Sequence, residues 1–142
     1  MEHVTQEFPS ELRQMAAIRT LVRDVCDRAW GIGADPETVA ELQLAVDEAA
    51  SNVVLHAYEG KPDVPFDVEV AADPHGVSVT LYHRGAAFDP GAVRAPTFDG
   101  SRESGFGLYI IRQAVDELSF FQDERGRHGM RMVKKRKKSP EG

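Results

Sequence analysis

The chain has 142 residues, the size of one domain, and 42% of it is hydrophobic, which excludes an intrinsically disordered chain. Its overall charge of −6 hides two segments of opposite sign: 22 acidic against 9 basic residues over 1–124, then 8 basic against 1 acidic over 125–142. The acidic body excludes a uniformly basic nucleic-acid binder, and the single cysteine excludes an intrachain disulfide or a cysteine-rich metal centre.

The opening residues MEHVTQEFPS are acidic and polar, unlike a secretory signal. No apolar run approaches the ~20 residues that span a bilayer. A cytoplasmic protein with no membrane segment is the expectation. Residues 1–8 read as a short edge strand. Ser10 reads as the cap of a helix that runs to about residue 30. Leu12, Met15, Ile18, Val22, Val25 and Ala29 supply its buried face. Cys26 falls on that side, as a small buried hydrophobe rather than a catalytic thiol. Gly31-Ile-Gly33 ends the helix. Asp35-Pro36 reads as an N-cap followed by proline at the first helical position, opening a second helix to about Ala57.

After Gly60-Lys61-Pro62 the period changes to two. Phe66, Val68 and Val70 alternate with Asp67 and Glu69, and Val77, Val79 and Leu81 with Ser78 and Thr80. The turn Asp73-Pro74-His75-Gly76 joins them into a hairpin. Residues 84–105 have no period, and an aperiodic stretch that long is usually functional. A third helix starts near Ser104–Phe106, with Leu108, Ile111, Val115 and Leu118 as its buried stripe. Residues 118–123 and 129–134 read as a last strand pair. The order β-α-α-β-β-loop-α-β-β predicts an α+β, two-layer sandwich: a mixed, mostly antiparallel sheet with about three helices on one face.

Two features carry chemistry. On the second helix Val39, Leu42, Val46, Ala50, Val53 and Ala57 share the sector that faces the sheet, with Leu44 and Leu55 on another flank. Glu48, Asn52 and His56, spaced i, i+4, i+8, form a polar stripe between them. A carboxylate and a carboxamide one turn apart suit a hard cation such as Mg²⁺, with Glu48 as general base and Asn52 as metal ligand. A solvated helix edge is the plain alternative. Ser104-Gly105-Phe106-Gly107 precedes the third helix, where backbone N–H groups and the helix terminus favour phosphate. An ordinary serine cap with loop glycines is the alternative there. No P-loop or protein-kinase signature is present.

In this order the residues resemble a known family. Glu48-Ala-Ala-Ser-Asn52-Val-Val-Leu-His56-Ala-Tyr58 looks like the N-box of the Bergerat-fold, histidine-kinase-like ATPases. More narrowly it resembles the anti-sigma-factor serine/threonine kinases of the RsbW/SpoIIAB type. Phe88-Asp89-Pro90 is similar to the segment after their first glycine box, and Gly105-Phe-Gly107-Leu108 to their second. The resemblance spans about residues 8–136 and implies one ATPase domain over 1–136, with a lid at about 84–105 and a basic tail at 137–142. It implies Mg²⁺ and ATP as cofactors, and catalysis by Glu48 with Asn52 on the metal. Nucleotide contacts would come from Asn52, His56, His83, Gly85, Asp89, Ser104, Gly105, Phe106, Gly107 and Leu108.

The implied partners are a small STAS-type antagonist, phosphorylated on serine, and a sigma factor or similar regulator. A homodimer is also implied, with no membrane or direct nucleic-acid contact. Three positions depart from the pattern. His83 stands where the family has an Asp that accepts a bond from adenine, Ala87 stands where it has a glycine, and Gly129-Met130 stands where it has Gly-Thr. A neutral imidazole can still accept a bond, and a ligand-free strand-end histidine is the competing reading. The departures motivate an alternative: an interaction module of the same fold that has lost nucleotide binding. The Lys134-Lys-Arg-Lys-Lys138 run reads as a solvated tail, with a nucleic-acid or anionic-surface contact as its alternative.

Overall fold

A computed structural model of the chain describes residues 1–85 and 106–138. In chain order they form strand β1 (Glu2–Pro9), a 3-10 turn (Leu12–Gln14), helix α1 (Met15–Trp30) and helix α2 (Pro36–Asn52), which runs into a π turn (Val53–Ala57). Strands β2 (Pro65–Asp73) and β3 (Gly76–His83), helix α3 (Phe106–Ala114), and strands β4 (Glu117–Gln122) and β5 (His128–Lys135) follow. The sheet order is β1-β2-β3-β5-β4. Every pairing among the described strands is antiparallel, so the sheet is not mixed. The α+β layering is as expected from the alternation of periods.

The alternating strand residues decide which face is covered. Phe66, Val68, Val70, Val77, Val79, Leu81, Met130 and Met132 are buried, in one cluster with Ile18, Val22 and Val25 of α1 and Leu42, Val46 and Ala49 of α2. Each such side chain contributes roughly 1.5–3 kcal/mol on burial. β3 and β4 both run antiparallel to β5, so they are parallel to each other. A parallel pair cannot be joined by a tight turn and needs a crossover. α3 lies between β3 and β4 in the chain order.

Several local expectations give way to distant contacts. Ser10 does not cap a helix: its hydroxyl donates to Lys61 O at 2.6 Å and accepts from Val64 N at 3.0 Å. It ties the end of β1 to the turn before β2. The 3-10 turn intervenes, α1 begins at Met15, and Leu12 is exposed instead of facing the core. Leu118 belongs to β4, because α3 ends at Ala114. Cys26 is buried, and burial, aided by Asp27 and Asp35, pushes its thiol up to about 12. It behaves as the small hydrophobe expected.

Asp35 holds the N-cap position, with Pro36 next, but its side chain makes no cap bond and its backbone is left-handed at φ 59°. Its carboxylate instead accepts the backbone N–H groups of Lys137 (2.9 Å) and Lys138 (3.0 Å). The basic end is therefore not a free tail at these residues. Lys134 Nζ donates to Ala114 O and pairs with Glu41, each at 2.7 Å. Lys137 Nζ reaches Glu41 and Glu37, and the Arg136 guanidinium lies 4.7 Å over the Trp30 ring. The acidic and basic segments close on each other.

Asp35 is 1% exposed. Burial alone would raise its carboxyl, but hydrogen bonding from the Lys138 N–H, the Thr38 hydroxyl and the Lys137 N–H outweighs this and holds it below the ordinary range. Asp35→Ala should cost about 2–3 kcal/mol at neutral pH, because two part-buried N–H groups lose a charged acceptor. A depressed folded-state pKa stabilises above the unfolded value of about 3.9 and is lost as pH falls through the folded one. Denaturant titrations should therefore show the gap between wild type and variant narrowing below about pH 4.

Candidate functional site

α2 presents its sheet-facing side as small and branched residues: Val39, Leu42, Ala45, Val46, Ala49, Ala50 and Val53 are all buried. The other expected apolar flank is half open, with Leu44 49% and Leu55 48% exposed. Glu48 and Asn52 lie on the edge between, each partly buried. α2 carries four acids, and three have cations. Glu37 has Lys137, Glu41 has Lys134 and Lys137, and Asp47 has Arg19 at 3.0 Å. Glu48 makes no ion pair or side-chain hydrogen bond among the described residues. Its carboxylate is the negative charge the helix leaves unneutralised.

α3 enters directly over this pair. A Cβ built on Gly107 would stand 3.1 Å from Asn52 Nδ2 and 3.2 Å from Glu48 Oε2, tighter than ordinary contact. The three nearest atoms to that position all belong to Glu48 and Asn52. Gly107, distant in sequence, thus converges with Glu48 and Asn52 on one spot. Leu108 follows, partly buried against the core. His56 is exposed and sits in the π turn, where Tyr58 N–H reaches Val53 O at 2.9 Å. The wider turn breaks the i, i+4, i+8 stripe before its third member. Asp89, Ser104 and Gly105 lie outside the described residues, as does the side chain of Phe106.

The chain leaves β3 against the other end of α2. Tyr58, buried, donates its hydroxyl to Pro65 O at 2.9 Å and accepts Arg84 N–H at 3.0 Å. Burial raises its pKa, which keeps the proton on the phenol. A Cβ on Gly85 would lie 2.2 Å from the Ala57 carbonyl oxygen, so only glycine passes there. Tyr58 had no assigned role in the sequence, although its place after the helix and before a glycine-proline turn marked a junction. Gly129 pairs with Phe121 across the hairpin, and a Cβ there would strike the Phe121 ring at 2.3 Å. Its constraint is therefore packing against that ring.

His83 ends β3 and is 2% exposed. Its Nδ1 accepts Gly85 N–H at 3.1 Å. The ring stands edge-on to Tyr58 at 6.0 Å and tilted to His128 at 5.5 Å. Burial, then the neighbouring His128, lowers its pKa to about 4. The ring is neutral at physiological pH, with its Nδ1 lone pair engaged and its proton on Nε2. Among the described residues no three His, Cys, Asp or Glu side chains converge as a metal cage. Mg²⁺ does not need one, since it is held by one or two protein groups plus phosphate oxygens and water. Glu48 and Asn52 under Gly107 fit that requirement.

The five-stranded antiparallel sheet with its three helices is an α+β fold consistent with a histidine kinase-like ATPase domain. The histidine kinase-like ATPase domain model matches residues 8–134, and the chain belongs to that family. The serine-protein kinase RsbW of Bacillus cereus is 26% identical over 131 residues, covering 87% of this chain and 79% of that protein. The RsbW of Bacillus anthracis is 25% identical over the same lengths.

Two outcomes test the geometry. Gly85→Ala should destabilise the fold by about 3 kcal/mol or more in chemical denaturation, because the new Cβ meets fixed backbone. His83 has a folded pKa below its unfolded value near 6.5, so the unfolded chain takes up the proton first. Stability should fall as pH drops from about 6.5 to about 4. In His83→Gln that decline should flatten.

Proposed function

We propose that the chain is an ATP-dependent serine/threonine protein kinase of a bacterial partner-switching system. It phosphorylates a serine on a small STAS-type antagonist and sequesters a sigma factor or similar regulator. The observation that carries this is the unneutralised Glu48 carboxylate beside Asn52, directly under Gly107. Glu48 acts as general base toward the substrate hydroxyl, a role that needs a free lone pair close to the reacting atoms. Asn52 holds the metal, and the backbone at Gly105 and Gly107 lines the phosphates. Magnesium, when bound, supplies charge neutralisation on the phosphate oxygens. His56, His83, Gly85, Asp89, Ser104, Phe106 and Leu108 complete the nucleotide contacts. The protein works in the cytoplasm as a homodimer. No described helix is long and apolar enough to cross a membrane.

A second reading has its own observation. His83 replaces the family's aspartate, and its Nδ1 is already engaged by Gly85. On that reading the chain binds regulators without nucleotide. Calorimetry with Mg-ATP separates the two. The kinase reading expects heat at micromolar to millimolar nucleotide, and no heat at millimolar ATP would sink it. Glu48→Gln should leave ATP affinity within a few-fold and cut phosphotransfer by about 10²–10⁴, as loss of a general base does. Asn52→Ala should weaken ATP binding only when magnesium is present.

A further inference from the structure

Tyr58 joins three segments that are remote in sequence. It follows the π turn directly, six residues after Asn52 and ten after Glu48. Its own N–H reaches Val53 O at 2.9 Å, which holds it to the helical unit that carries those two side chains. Its hydroxyl donates to Pro65 O at the start of β2 and accepts Arg84 N–H just beyond β3, at 2.9 and 3.0 Å. A phenol oxygen both donates and accepts, so one atom serves two backbone groups.

The packing around the ring engages the same stretch of chain. The ring stands edge-on to His83 at 6.0 Å. A Cβ on Gly85 would lie 2.9 Å from Tyr58 Cδ1 and would strike the Ala57 carbonyl oxygen. His83, Arg84 and Gly85 thus rest on Tyr58 in turn, through a ring contact, a hydrogen bond and a close backbone approach. Glu48 and Asn52, under Gly107, stand earlier on the same helix. The two groups of residues that the proposed function assigns to one nucleotide are therefore linked through this side chain.

We propose that Tyr58 is a positioning residue for nucleotide binding: its hydroxyl fixes where the backbone of His83, Arg84 and Gly85 stands relative to Glu48 and Asn52, so that one ligand reaches both. This role rests on the nucleotide-binding reading of the site. Tyr58 acts through His83 and Gly85 and makes no contact with the phosphates.

The test compares wild type with Tyr58→Phe, which keeps the ring and removes only the oxygen. Without ligand, Arg84 N–H should exchange with solvent at least about tenfold faster in the variant, with the Val68 and Val79 amides unchanged. In an NMR titration with Mg-ATP, affinity should fall about tenfold, the upper scale of one lost hydrogen bond. At saturation the shifts at Gly107 and Asn52 should match wild type, while that at Gly85 shrinks. In wild type, saturating Mg-ATP should slow exchange at Arg84. Unchanged exchange at Arg84 in the variant would overturn the role, as would the absence of slowing in wild type. An equal loss of affinity in Asp35→Ala, altered at the far end of α2, would also overturn it, because the effect would then be one of stability alone. A wild type that gives no response to ATP would sink the kinase reading and this role with it. A wild-type response undiminished in Tyr58→Phe would sink this role alone.

Discussion

Everything in the site hangs on the burial of one face of α2. Leu42, Ala45, Val46, Ala49, Ala50 and Val53 are shielded from water, and this fixes the rotation of the helix about its axis. Once that rotation is set, Glu48 and Asn52 must stand at the rim, neither in the core nor in open solvent. The alanines matter as much as the larger residues. Small side chains let neighbouring elements come close, so α3 can bring Gly107 within contact of the acid and the amide.

The same helix organises the electrostatics. Its first turns take the basic C-terminal strand and the residues after it, through Asp35, Glu37 and Glu41. Its middle takes Arg19. Half-buried pairs of this kind contribute modestly one by one, yet together, among the described residues, they pair every acid of the helix except Glu48. A carboxylate left without a cation at the rim is poised to act as a base or to face a bound cation, and selective pairing produces that state without any unusual residue.

The crossover between β3 and β4 is gripped at both ends by the α2 and π-turn unit. Gly85 passes against Ala57 and Tyr58, and Gly107 lands on Glu48 and Asn52. The glycines are required for different reasons. At Gly85 a backbone carbonyl blocks any side chain. At Gly107 the space is taken by the polar side chains of Glu48 and Asn52.

How much of this was legible follows from the range of each interaction. The alternation in β2 and β3, the 3–4 spacing of α1 and α2, and the Glu48–Asn52 spacing are short-range patterns, so composition and period were enough to read them. The family likeness gave Gly107 and that pair roles around one nucleotide, and their direct contact came only from packing. Ser10 and Leu12 were misread because their motif looks like a local helix start, whereas Asp35-Pro36 does open α2 and only the distant partners of the Asp35 carboxylate went unread. Ser10 is held by residues 51 and 54 positions away, and Asp35 by residues 102 and 103 positions away. The basic end looked solvated for the same reason, since its acidic partners lie on α2.

The sequence by itself determined the element types, the buried faces and the acid–amide pair, because hydrophobic period and helical spacing act within a few residues. Only the tertiary structure decided the fully antiparallel order with β5 between β3 and β4, the docking of the C-terminal residues, and which charges remain unpaired. Those outcomes depend on which distant groups satisfy each buried polar atom.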